Sequence, residues 1–96
     1  MPVKKMKRCI LRGNTLHSSD DVYDELTKQL SLSHYFGRNL DALWDVLSTD
    51  IEGPFEIVWK QASASRKSMG KDFTRMMDVL RRLETVREDF TLTVEQ

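Results

Sequence analysis

Three short runs of β character, parted by two long stretches of helical period, constrain this chain more than any other feature of its sequence. "MKRCILRG" has period two and turns continuously apolar at Cys9, Ile10 and Leu11 before a Gly13-Asn14 turn. "FEIVW" alternates and is rich in β-branched and aromatic residues, and "DFTLTVE" alternates again near the end. Between the first two runs, Val22, Leu26 and Leu30 recur at i, i+4 and i+8 behind Ser19 or Asp20 as cap, predicting a helix over about 20–32. Leu40, Leu43, Trp44 and Leu47 then recur at i, i+3, i+4 and i+7 behind an Asn39 cap, predicting a second helix that ends near Asp50. Further on, "QASASRKS" reads as a short helix or an irregular segment. Phe73, Met76, Met77, Leu80 and Leu83 mark an amphipathic helix from Lys71 to about Glu84. Strands separated by so much chain join through crossovers rather than hairpins. The order β-α-α-β-α-α-β therefore predicts an α/β fold: a small three-stranded parallel sheet packed with helices.

A chain of 96 residues has length for one domain, 1–96, because single domains usually run to about 100–150 residues. At 40% apolar and 31% charged it can bury a modest core. After the basic "KKMKR" only "CIL" follows, too short for a secretory signal, and no run approaches the roughly 18 apolar residues of a membrane span. Cys9 is the only cysteine, which excludes an internal disulfide and points to a reducing, cytoplasmic setting. Formal net charge is zero, but residues 18–56 hold nine acids against Lys28 and Arg38, a bias that favours a cationic partner.

Catalytic and cofactor chemistry find no foothold. Neither G-x-G-x-x-G nor G-x-x-x-x-G-K-[ST] occurs, and no His/Cys set has the spacing of a metal site, so no cofactor, metal or catalytic residue is expected. His17 and His34 lie beside predicted loops, where a solvated histidine is the ordinary outcome. Cys9, placed in a predicted central strand, reads as a small buried hydrophobe, and Met76 and Met77 read as core. Lys4, Lys5, Lys7 and Arg8 could meet phosphates, but no stacking aromatics interleave with them, so nucleic acid is not the expected partner.

The second helix carries the unexplained residues. At about 100° per residue Asp41, Asp45 and Ser48 share the flank beside Trp44. Asp41 meets the positive end of the helix dipole and costs little. Asp45 has no such compensation, and its like charge at i+4 from Asp41 disfavours the helix by a few tenths of a kcal/mol. Taken alone, the flank is either an ordinary solvated face or a stiff platform whose carboxylates fit an arginine fork.

"YFGRNLDALWDVL", "GPFEIVW" and the element order together resemble the barstar family, intracellular inhibitors of the ribonuclease barnase, over nearly the whole chain. The resemblance implies that the loop and second helix plug a ribonuclease active site, with contacts from Tyr35, Gly37, Asn39, Leu40, Asp41, Trp44, Asp45 and Ser48. Asp45 would take the place of a substrate phosphate. It further implies a secreted or toxin ribonuclease with a cationic active site as the partner, bound 1:1 by a chain that is monomeric when free. Trp59 would be core, and the family's proline after the second helix corresponds to Pro54, which makes a cis Gly53-Pro54 bond an expectation. The chain departs from the family where Asp50 replaces an aromatic, Arg82 an acid of the last helix, with Glu84 nearby, and Arg38 an acid of the loop. Its neutral total also differs from the family's acidity. These four residues form a possible rim, and the departures imply a nuclease with acids opposite Arg38 and Arg82. The same face could instead serve a different toxin or a regulatory partner.

Overall fold

The structure, a computed structural model, describes residues 6–33 and 36–96. Strands β1 (Lys7–Arg12), β2 (Phe55–Lys60) and β3 (Phe90–Val94) form one sheet in the order β1-β2-β3, both pairs parallel. Helices α1 (Ser19–Leu30) and α2 (Leu40–Asp45) fill the first crossover, and α3 (Ala62–Met69) and α4 (Lys71–Val86) the second. The class and order are those the periodicity predicts, with "QASASRKS" resolved as helix.

Each crossover moves the chain one strand in the same direction, so the right-handed preference places both helix pairs on one side of the sheet. The side chains agree. Cys9, Leu11, Phe55, Ile57, Trp59 and Phe90 join the helices in a single core. The alternate residues Arg8, Ile10, Glu56, Val58, Lys60 and Thr93 line a surface hollow to which, among the described residues, no helix contributes. Parallel sheets are usually covered on both faces. Here the bare face is stabilised by polar pairing: Arg8 Nε donates to Glu56 at 2.9 Å, and the Thr93 hydroxyl donates to the other Glu56 oxygen at 2.6 Å.

Cys9 is fully buried, but on an edge strand, not the central one expected; β2, apolar over most of its length, takes the centre. Its burial comes from helices packed on the sheet. That burial, with Glu25 adding to it, pushes the Cys9 thiol up to about 12, so it stays protonated and inert. The cap of α1 is Ser18 rather than Ser19 or Asp20: its hydroxyl accepts the Asp21 N–H, and Asp21 accepts the His17 N–H in return. His17 is exposed, while His34 lies outside the described residues. Met76 and Met77 are buried, and the Gly53-Pro54 bond is cis.

At the far end of the sheet Ser65, fully buried, accepts from Trp59 Nε1 at 3.0 Å and donates to the Gly13 carbonyl at 3.1 Å, so all three polar groups are satisfied. A Cβ on Gly13 would overlap the carbonyl oxygens of Lys60 and Gln61, which is why only glycine fits there.

Glu56 gives the fold an acid-sensitive element. The Thr93 hydroxyl, and after it Arg8, hold its carboxyl below the ordinary value of 4.5. A carboxyl depressed in the folded state contributes stability fully above that ordinary value and loses it as pH falls toward the folded value. Glu56→Gln is therefore expected to lower Tm at neutral pH, with the gap to the parent closing as the pH is taken below about 4. Thermal melts across that range check this, and a gap independent of pH would contradict it.

Candidate functional site

Asn39, extended at φ −146°, fixes the entry of α2: its Oδ1 accepts the Ala42 N–H at 2.7 Å. Just before it, Arg38 adopts a left-handed φ of 54°. Its guanidinium holds that turn, with Nη2 3.0 Å from Asp24 Oδ1 and 3.2 Å from both Asp20 Oδ1 and the Asp20 carbonyl. Arg38 also lies 5.8 Å from the Tyr23 ring, which meets Phe36 edge-on at 5.5 Å. The loop is thereby pinned to α1. Gly37 is exposed, and a Cβ there would stand 3.2 Å from the Ala42 methyl.

The apolar face of α2 divides in two. Leu43 and Leu47 are fully buried, whereas Leu40 and Trp44 sit half-buried at the margin of the core. Asp41 and Asp45 project to solvent, and among the described residues neither carboxylate has a hydrogen bond or ion pair. The helical run ends at Asp50 as expected, but its α-helical part stops at Asp45 and Val46–Asp50 continues it as a π-helical turn. The Thr49 hydroxyl donates to the Asp45 carbonyl at 2.6 Å and Ser48 approaches it at 3.4 Å, so the backbone under the exposed carboxylate is tied down by the residues that widen the turn.

Asp45 stands on a ridge between two hollows. One, of about 310 Å³, is lined by Ser33, Phe36, Gly37, Ala42, Val46 and Asp50; the other, of about 410 Å³, by Leu40, Asp41, Trp44, Val79 and Arg82. Arg82 reaches over from α4 with its guanidinium 6.0 Å from the Trp44 ring, and no acid among the described residues pairs with it. Asp50 lines the first hollow and accepts the Thr49 hydroxyl at 3.1 Å. Glu84 does not join them: its carboxylate accepts the Leu92 N–H at 2.9 Å and so covers part of the outer edge of β3. Tyr35 lies outside the described residues.

The structure thus gathers Gly37, Asn39, Leu40, Asp41, Trp44, Asp45 and Ser48 around α2, and adds Phe36, Val79 and Arg87, which periodicity does not single out. Arg87 donates to the Leu47 and Ile51 carbonyls at 2.7 and 2.8 Å. The only hint in the sequence is a cation just past a helical stretch. Chemically, the surface offers unpaired, rigidly mounted anionic acceptors flanked by apolar and aromatic surface, suited to binding cationic donors. Among the described residues no group of three or more His, Cys, Asp or Glu is placed to hold a metal, and no helix is long and apolar enough to cross a membrane.

Comparison with known proteins places the chain among inhibitors of ribonucleases by name. The family model of barstar, described as a barnase inhibitor, matches residues 6–95. YrdF of Bacillus subtilis strain 168, provisionally named a ribonuclease inhibitor, is 29% identical over 91 residues, covering 94% of this chain and 100% of its own.

Proposed function

The chain belongs to the barstar family, and from that premise we propose that it inhibits a barnase-type ribonuclease by seating the loop before α2, and α2 itself, in the enzyme's active site. The observation that carries this reading is the unpaired Asp45 carboxylate, raised between two hollows on a helix whose entry and exit are both tied down. A ribonuclease must collect cationic donors to hold a phosphodiester and stabilise its transition state. A fixed carboxylate that satisfies those donors blocks the site and offers no bond to cleave. In this reading Tyr35, Gly37, Asn39, Leu40, Asp41, Trp44 and Ser48 surround Asp45 at the contact.

The rim follows from the pairing described above. Arg38 is neutralised by Asp20 and Asp24 and makes no demand on a partner. Arg82 brings an uncompensated charge beside Asp41 and Asp45, so the fitting nuclease carries an acid on the α4 side of its cationic cleft. The partner would be a secreted or toxin ribonuclease, met in the cytoplasm in a 1:1 complex by a chain otherwise monomeric.

RNA cleavage by barnase, measured with increasing amounts of this protein, tests the proposal. The expected result is loss of cleavage that saturates at one inhibitor per enzyme. The association rate should fall steeply as salt is raised, because exposed charges are screened beyond about 8–10 Å at physiological ionic strength. Undiminished cleavage by barnase and by related nucleases would overturn it. Arg82 also favours a second reading, in which the same surface meets a toxin of another kind. Recovery on the immobilised chain of a bound protein lacking nuclease activity would support that reading instead.

A further inference from the structure

Arg87 follows the last residue of α4, and its own N–H closes on the Leu83 carbonyl. Its side chain does more. Nη1 donates to the carbonyls of Leu47 at 2.7 Å and Ile51 at 2.8 Å, where the chain leaves the site helix. Nε and Nη2 meet the two oxygens of Asp89 at 2.9 and 2.7 Å, and the guanidinium lies 4.9 Å from the Phe55 ring. The Asp89 carbonyl accepts the Phe55 N–H at 2.9 Å. A Cβ on Gly53 would run into the Asp89 carboxylate and reach Arg87, so the loop entering β2 closes directly on this pair. One guanidinium, its side chain 14% exposed, thus joins the exit of the site helix to the starts of β2 and β3.

The six residues of α2 and the five of the π turn that continues it are together too short to hold their conformation in water, and their end leaves carbonyls without intrahelical partners. Leu43 and Leu47 seat the Asp41–Asp45 platform on the core, and the rest of its stiffness must come from its two ends. Asn39 and Arg38 fix the entry. We propose that Arg87 is the positioning residue that fixes the exit, holding α2 in its binding geometry without touching the partner; this rests on α2 being the surface that meets the nuclease. The role needs the planar fork of arginine. Lysine would keep the charge but presents one nitrogen, which cannot span a carboxylate and two separate carbonyls.

Arg87→Lys, with Asp89→Asn as a second way to open the fork, is compared with Ser65→Ala, which removes a buried hydrogen-bond bridge at the opposite end of the sheet. Two measurements are made: backbone amide exchange in the free protein, and association and dissociation rates with barnase as the probe. In Arg87→Lys the amides of residues 47–52 are expected to exchange roughly tenfold faster, and dissociation to be faster by a similar factor. Association should stay within about twofold, because the charge is retained. Ser65→Ala should lower Tm by several degrees yet leave exchange at 47–52 and dissociation unchanged. Unaltered exchange at 47–52 in Arg87→Lys would overturn the proposal, as would equally fast dissociation of Ser65→Ala. If the parent itself binds neither barnase nor related nucleases, the nuclease reading falls, while the exchange result still decides whether Arg87 fixes the exit of α2.

Discussion

Asp45→Ala is expected to weaken inhibition more than any other single truncation on this surface, while leaving the fold intact. The side chain is exposed, at the last residue of α2, and has no hydrogen-bond or ion-pair partner among the described residues, so its removal costs the free protein nothing it relies on. It relieves the like-charge contact with Asp41, a gain of a few tenths of a kcal/mol. In the complex the balance reverses. The enzyme's cationic donors, stripped of water by the surrounding contact, would lose the group that compensates them. Truncating one side of a buried, hydrogen-bonded charge pair costs about 2–5 kcal/mol, a range set partly by barnase–barstar itself, which corresponds to some thirty-fold to several-thousand-fold in Kd. Asp41→Ala, near the helix entry and further from the ridge, should cost less. Titration of RNA cleavage with each variant checks the order. A Tm at or slightly above the parent's together with a collapsed affinity is the expected signature, and unchanged affinity would remove Asp45 from the site.

Trp59→Ala is expected to produce the largest loss of stability. The indole is wholly buried, meets Phe73 edge-on at 5.2 Å, and donates its N–H to Ser65. Replacing a buried large aromatic by alanine costs about 3–5 kcal/mol, because the cavity collapses only in part. For domains of this size each kcal/mol lowers Tm by about 4–8 °C, so a fall of at least about 12 °C is expected. That is a large share of a typical total of about 5–15 kcal/mol. Trp59→Phe keeps the edge contact with Phe73 but lacks the N–H, and should fall between. Urea denaturation of the three proteins would show whether ring volume or the Ser65 bond dominates. Trp59→Phe as unstable as Trp59→Ala would assign the effect to the hydrogen bond.

What could be read in advance was whatever depends on neighbours along the chain. Alternation in "FEIVW" and "DFTLTVE" and the i, i+4, i+8 series of Val22, Leu26 and Leu30 report local burial, and the elements follow from them. The cap of α1 was read at Ser19 or Asp20, one or two residues late, because the apolar period does not fix the first turn; the reciprocal bonds among His17, Ser18 and Asp21 put it at Ser18. Strand order is a tertiary property, so nothing in "CIL" could tell an edge strand from a central one. At the site, the exposure of Asp41 and Asp45 followed from the helical wheel. The two arginines looked alike in the sequence and proved different: Arg38 closes on acids of α1, while Arg82 lies over Trp44. The partner of Arg87 was out of reach for the same reason: its place just past a helical stretch was legible, but the Leu47 carbonyl it serves stands 40 positions away.

The bare side of the sheet gives the molecule a back by which it can be held. Thr91 pairs in register with Glu56, points to that side and is exposed, whereas the native thiol of Cys9 is buried and stays protonated. In Thr91→Cys a single accessible thiol would therefore take a dye or a bead, leaving the helical side, and the ridge of α2 with it, turned toward the solution.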